Sequence, residues 1–258
     1  MRPFEYAEPR SLSEVFRELE KADGGVRLLA GGTDLVPRLK RGVWKASRVI
    51  NLKRIDALRG ISEDAGGVTI GPLTSVEDLA RSEVVVRRCP ILAEAARLMA
   101  SPQVRNLATV GGNLANASPA ADLAPPMLVL EAVLTASGPW GERPIPVREF
   151  FTGPGRTALA REEVLTRIRV PAPSGRGVFF KFSPRRAMDL AVVSVACLRA
   201  NGDVRVAVGA CAPTPLRVPA DPDGAANACS PIDDVRGSAG YRLDLVRVLV
   251  RRALERVS

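Results

Sequence analysis

The 258-residue chain contains no histidine. That absence removes the commonest general base, the commonest metal ligand and every Ser-His-Asp or Cys-His arrangement. Catalysis by this chain therefore requires another carrier of the chemistry. A redox cofactor fits, because its own ring performs the hard step while the protein supplies position and electrostatics. Cysteine is scarce and scattered, at positions 89, 197, 211 and 229. No C-x-x-C or tight cluster occurs, which speaks against a zinc or iron–sulfur site within the chain. Aromatic residues make up only 4%, too few for an RNA-stacking platform. No apolar run approaches the roughly 18–20 residues of a membrane span. The opening "MRPFEYAEPRSLSEV" has no apolar segment behind a basic start, so no signal peptide is expected and the cytoplasm is the expected location. Neither G-x-G-x-x-G nor G-x-x-x-x-G-K-[ST] is present.

Lysine is also rare. Of 37 basic residues only five are lysine, against 28 acidic ones, for a net charge of +9. Such a charge suits nucleic acid or an acidic partner. Here the arginines are dispersed and no pure basic run exists, so nucleic-acid binding is not expected.

What is present is enough apolar content, 46%, to build one large or two modest domains. Ser11 with Glu14 reads as a capping box opening a helix over about 12–21, ended by Gly24 and Gly25. "VRLLA" (26–30) and "RVINL" (48–52) read as buried strands on either side of a helix near 34–41, with Gly31-Gly32 at the strand-to-helix turn. Ser75 with Asp78 marks another helix start. "PILAEAARLMA" (90–100) has a period near 3.6, with Pro90 in the first turn. "DLAPPMLVLEA" reads as an apolar helix; "AVLTAS" and "VLTRIRV" read as strands. "PAPSGRG" (171–177) is the candidate linker. Beyond it lie three predicted strands, "GVFFKFS", "LAVVSVACLRA" and "VRVAVGACA", with "NGD" (201–203) as a hairpin turn. A final helix carries Leu245, Leu249 and Leu254 on its apolar face. The expected division is residues 1–171 and 174–258.

Two glycine-bearing segments carry the chemistry. In "LLAGGTDLVPRLKRG", Gly31, Gly32, Thr33 and Asp34 have the form of a turn whose amides, helped by a helix start, donate to phosphate oxygens. A plain helix start would look the same. In "ATVGGNLANASPAAD", Gly111 and Gly112 free the backbone, while Thr109, Asn113, Asn116 and Ser118 offer side-chain donors. Asp122 is suited to accept from ribose hydroxyls or adenine. A tight self-packed loop is the competing reading, but it leaves many polar groups in an apolar neighbourhood unexplained. Together the segments suggest a two-loop nucleotide cradle outside the Rossmann class.

"AGGTDL" followed by "TVGGNLANASPAADLAP" resembles the FAD-binding (medium) subunit of the molybdenum hydroxylases, which include xanthine dehydrogenases and aerobic carbon monoxide dehydrogenases. "FEYAEPRSLSEVFREL", "REFFTGPGRTAL", "EEVLTRIRVP", "FFKFSPRRAMDLAVVSVA", "VGACAPTPLR" and "PIDDVRGSAGYR" extend the resemblance along nearly the whole chain, in order. It implies an α+β protein: a two-part FAD-binding domain of the vanillyl-alcohol-oxidase (PCMH) type over 1–171, then a small α+β domain over 174–258 of the CO dehydrogenase flavoprotein C-terminal type, with a three-stranded antiparallel sheet and helices. It implies that Leu28, Leu29, Ala30, Gly31, Gly32, Thr33, Asp34 and Leu35 wrap the pyrophosphate of FAD. Thr109, Gly111, Gly112, Asn113 and Asp122 match positions on its phosphate, ribitol or adenosine side. Met99 and Leu165 match apolar positions lining the cofactor, and Lys181 matches a lysine near the flavin. The implied role is electron transfer. A large molybdenum-cofactor subunit oxidises the substrate, a small [2Fe-2S] subunit relays electrons to FAD here, and NAD, a quinone or oxygen accepts them, in a dimer of three-chain units. Residues 218–230 are shorter than is usual in the family. A self-contained FAD oxidoreductase, and a basic nucleic-acid-binding or scaffold protein without cofactor, are the alternatives.

Overall fold

A computed structural model of the chain describes residues 2–21, 25–171, 175–185 and 188–258. The chain begins with a parallel layer. Strand β1 (Glu5–Ala7), helix α1 (Leu12–Glu20), β2 (Val26–Leu29), α2 (Leu35–Lys40) and β3 (Arg48–Asn51) follow one another. The sheet order is β1-β3-β2 and both pairings are parallel. Helical crossovers are what parallel pairing requires. Ser11 caps α1 by accepting from the Glu14 amide at 3.2 Å. The Glu14 carboxylate returns to the amide of Arg10, one residue earlier than a capping box would place it. Gly24, expected to help end this helix, lies outside the described residues.

The second unit is an antiparallel sheet covered by helices. β4 (Ile61–Asp64) and β5 (Gly67–Ile70) lead into α3 (Val76–Arg81), α4 (Glu83–Arg88), α5 (Pro90–Leu98), α6 (Pro102–Leu107), α7 (Val110–Ala115) and α8 (Ala124–Val129). β6 (Val133–Gly138), β7 (Gly141–Pro146), α9 (Val147–Phe150), β8 (Phe151–Gly153), β9 (Arg156–Thr157) and β10 (Val164–Val170) complete it. The five-stranded order β4-β5-β10-β6-β7 puts β10, last in sequence, at the centre. Its burial follows: Val164, Leu165, Ile168 and Val170 are all buried.

The C-terminal unit is a sheet of β11 (Gly175–Phe182), β12 (Val193–Ala200), β13 (Asp203–Gly209) and β14 (Leu216–Val218), with α10 (Pro222–Asn227) and α11 (Ala239–Val257). Three strands were expected and four are found. The fourth is three residues long, too short to show alternation, and pairing with β13 is what makes it a strand. Asn201 and Gly202, at φ of 52° and 79°, form the expected hairpin turn, the geometry that matches strand twist. Along β12 the side chains alternate between two cores. Ala196, Leu198 and Ala200 pack with the α5 and α8 residues of the preceding unit. Val193, Val195 and Cys197 pack with Val246, Leu249, Val250 and Ala253 of α11. Residues 172–174 of the expected linker lie outside the described residues. The short segment 218–230 still forms the helix α10, capped by Asp221 and packed through Ala225 and Ala226. Among the described residues, no helix is long and apolar enough to cross a membrane.

Candidate functional site

A cleft of about 340 Å³ opens between the parallel layer and the five-stranded unit. Both glycine segments meet in its walls: Ala30 through Leu35 from one side, Thr109 with Gly111 to Asn113 from the other. The segments approach closely because two glycines allow it. A Cβ on Gly31 would stand 2.3 Å from the carbonyl oxygen of Leu107, and one on Gly111 would stand 2.4 Å from Cβ of Pro72. Gly32 has a φ of 86°, the left-handed region that turns β2 into α2. These three glycines thus have structural duties before any ligand is considered.

The two segments differ in what they offer. The second was read as a loop whose glycines free the backbone; residues 110–115 in fact form a short helix. Its first amides are occupied: Val110 donates to Thr74, Gly111 to Pro72 and Asn113 to Thr109. The Gly112 amide donates to the Thr109 hydroxyl at 3.1 Å, an N-cap. This segment therefore contributes smallness and side chains. The Oδ1 atom of Asn113 is buried without a partner, while its Nδ2 lies 3.6 Å from the Met99 sulfur. In the first segment the amides are available. Among the described residues, the backbone N–H groups of Gly31, Gly32, Thr33 and Asp34 have no backbone acceptor. Four consecutive donors at a helix start suit an anion.

Apolar side chains close the rest of the cleft. Met99, Leu159, Val164 and Leu165 line it from the second unit, and Leu28, Leu52 and Leu58 from the first. Met99 is held from behind. Arg105 donates to the carbonyls of Arg97 and Met99, both at 3.1 Å, and its Nε pairs with Glu77 at 2.7 Å. Arg27 and Trp44 also line the cleft and were not anticipated. The signal for Trp44 was an aromatic among basic residues in "RLKRGVWKASR"; Arg27, a lone charge in the strand "VRLLA", carried none.

Of the sixteen sequence-expected contacts, Leu29, Asp122 and Lys181 are not in the cleft lining. Leu29 turns to the opposite face of β2 and packs with Leu35, Leu39 and Val49. Asp122 and Lys181 find each other: Nζ lies 2.7 Å from Oδ2, with both side chains 5% exposed. Lys181 also donates to the Leu98 carbonyl at 3.2 Å. The pair ties β11 to the segment before α8. Burial pushes the Asp122 carboxyl up to about 6, against the opposing pull of Lys181. Its Oδ1 has no partner. No group of three or more metal-ligating side chains occurs among the described residues.

This cleft and its surrounding fold place the chain in a known class. Residues 2–173 match the family described as the FAD binding domain in molybdopterin dehydrogenase, and the chain belongs to that family. Its α+β architecture is that of the PCMH-type FAD-binding fold. Among curated relatives, the carbon monoxide dehydrogenase medium chain of Hydrogenophaga pseudoflava is 36% identical, covering 97% of this chain and 96% of the relative. The xanthine dehydrogenase FAD-binding subunit of Escherichia coli O157:H7 is 32% identical over 88% of this chain and 87% of the relative. The solved carbon monoxide dehydrogenase from Hydrogenophaga pseudoflava that lacks the Mo-pyranopterin moiety superposes with a TM-score of 0.95 at 35% identity, covering 100% of this chain and 98% of its own.

Proposed function

We propose that this chain is the FAD-carrying electron-transfer subunit of a multi-subunit molybdenum hydroxylase. The observation that carries the reading is the run of four acceptor-free amides, Gly31 to Asp34, on the wall of a cleft belonging to this family. The residues present fit the cofactor. The amides of Gly31 to Asp34 donate to the pyrophosphate. The orphaned Oδ1 of Asn113 accepts from a hydroxyl or ring N–H, removing the penalty of a buried unpaired acceptor. Met99 and Leu165 supply apolar walls that exclude water, and Leu28, Ala30, Leu35 and Thr109 complete the cradle. When bound, the flavin ring supplies the redox chemistry. Asp122 and Lys181 act from behind the wall, by joining the C-terminal sheet to the cofactor-binding unit.

The partners that suit this role are a large molybdenum-cofactor subunit and a small [2Fe-2S] subunit, in a dimer of three-chain units in the cytoplasm. NAD, a quinone or oxygen is the terminal acceptor. The domain division that suits it is 1–171 for the cofactor and 174–258 for the C-terminal part. A self-contained flavin enzyme would need an acid–base group beside the ring. Among the described residues, the only carboxylate in the lining is Asp34, 3.6 Å from Arg38.

The test is the visible absorption spectrum of the purified chain, with the flavin released on denaturation identified. Oxidised-flavin bands and FAD in the supernatant are expected. A Cβ at position 112 would stand 2.7 Å from the Thr109 hydroxyl and 3.7 Å from Cβ of Ala30, so Gly112→Trp places an indole in the cleft. That variant should fold and remain colourless. Stoichiometric flavin in it would remove the cleft from consideration, and a colourless wild-type chain that added FAD cannot restore would overturn the assignment.

A further inference from the structure

The corner between α5 and α6 is both strained and clamped. Ala100 stands at a φ of 46°, a left-handed conformation that a residue with a Cβ adopts at a cost and keeps only where its surroundings fix it. The carbonyls of Arg97, Leu98 and Met99 lie at the end of α5, where a helix leaves its acceptors without intrahelical partners. Side-chain cations take all three. Arg105 of α6 donates to the Arg97 and Met99 carbonyls, both at 3.1 Å, and Lys181 of β11 donates to that of Leu98 at 3.2 Å. Arg105 is itself fixed from α3. The Glu77 carboxylate, on a residue only 8% exposed, accepts from Arg105 Nε at 2.7 Å and from Arg81 Nε at 2.6 Å. An arginine suits this place, because its planar fork serves two carbonyls and a carboxylate at once.

The clamp reaches the cleft through one side chain. Met99 and Asn113 line the cleft and Arg105 does not. The Met99 sulfur accepts but cannot donate. The Asn113 amide therefore presents Nδ2 to it, at 3.6 Å, and leaves Oδ1 as the buried acceptor without a partner. Turning the amide over would set oxygen against sulfur, two acceptors facing each other, and would put N–H groups where the free acceptor now stands. The orientation of Asn113 thus depends on where Met99 is held, and Met99 is held by Arg105.

Resting on the assignment of FAD to this cleft, we propose that Arg105 is a positioning residue: by clamping the α5–α6 corner it fixes Met99, and through the Met99 sulfur it sets which end of the Asn113 amide meets the cofactor. FAD is titrated into the deflavinated full chain, following flavin fluorescence, for wild type, Arg105→Met, Arg105→Lys, Arg81→Met, Met99→Ala and the double variant of Arg105→Met with Met99→Ala. Thermal unfolding without flavin checks each fold. Arg105→Met should weaken FAD about fivefold or more, from the usual net worth of one hydrogen bond, and shift the absorption bands of the flavin bound at saturation. Arg81→Met removes the other partner of Glu77 without touching the corner, and should change the affinity by less than about twofold. In the Met99→Ala background Arg105→Met should likewise add less than about twofold, because the route runs through Met99. Should Arg105→Met unfold, Arg105→Lys decides. It keeps the charge opposite Glu77 but cannot serve both carbonyls, and it should weaken FAD about threefold.

Arg105 variants that melt earlier yet bind FAD with wild-type affinity and spectrum would show a role in the fold alone and overturn the proposal. So would equal weakening by Arg81→Met, or full additivity with Met99→Ala. A wild-type chain that binds no FAD removes the cofactor reading and the positioning role with it. Wild-type FAD binding with indifferent Arg105 variants removes only the positioning role.

Discussion

Lys181→Met offers a quantitative check on the buried pair that joins the two parts of the chain. In the wild type the Asp122 carboxyl lies at about 6, above its ordinary 3.8, because burial outweighs Lys181. A carboxyl raised in the folded state contributes stability that is fully present below its unfolded value. That contribution is lost as pH rises through the folded value. Lys181 limits this loss by holding the carboxyl near 6. An opposing charge in direct contact is worth about one to three pH units to its partner, so removing it should move the carboxyl up by about two. At pH 8 the variant's carboxyl is then only partly ionised, and the deficit relative to wild type is about 2 kcal/mol at about 1.4 kcal/mol per unit. At pH 5 both proteins hold the proton, and little beyond repacking remains. Urea denaturation of the flavin-free chain at pH 5 and pH 8, followed by far-UV circular dichroism, reads the difference. Methionine keeps the length of the stem, so packing changes little. A deficit equal at the two pH values, or larger at pH 5, would refute the electrostatic account.

The remaining expectations are structural. Gly111→Ala drives a methyl to 2.4 Å from Cβ and 2.9 Å from the carbonyl of Pro72; overpacking of this kind costs about 1–3 kcal/mol, visible as a fall in the melting temperature whether or not flavin is present. Arg242 is 1% exposed and donates to the carbonyls of Val192 and Ala210 at 3.0 and 2.9 Å and to Asp234 at 2.6 Å. Arg242→Met strands the two carbonyls, while Asp234 keeps Arg236, and should cost about 2 kcal/mol or more in chemical denaturation. Asp234 is held down at about 2, chiefly by Arg236, so it stabilises the fold above its unfolded value and releases that stability as pH falls toward 2. Asp234→Asn should flatten the acid limb of a pH–stability curve, and an unchanged limb would refute the pairing. Burial raises Cys89, Cys197 and Cys229 to about 11 and Cys211 to about 12; a thiol reagent at pH 8 should label the native chain slowly and the unfolded chain fully.

Much of the local structure was legible because its causes are neighbours along the chain. Ser11 and Ser75 accept from amides three residues on, and Asn201-Gly202 turn a hairpin through their own backbone freedom. The glycine turn at 31–34 was legible as a run of donors for the same reason: they are consecutive, and among the described residues they have no backbone acceptor. The strand β14 was missed because three residues carry no period. The glycines at 111 and 112 line the cleft as expected, and the fold also uses them to pass Pro72 and to seat a cap, which the sequence did not show.

Composition and order by themselves determined the class of chemistry. Without histidine or clustered cysteine a redox cofactor suited the chain, and the resemblance carried by the two glycine segments implied FAD. Tertiary structure alone decided which side chains share a wall. Asp122 and Lys181 stand 59 residues apart and close on each other, and Arg27 meets Trp44 across β2 and α2. Such meetings depend on how layers pack, and packing is set by the summed burial of many side chains. No short stretch of sequence carries that sum.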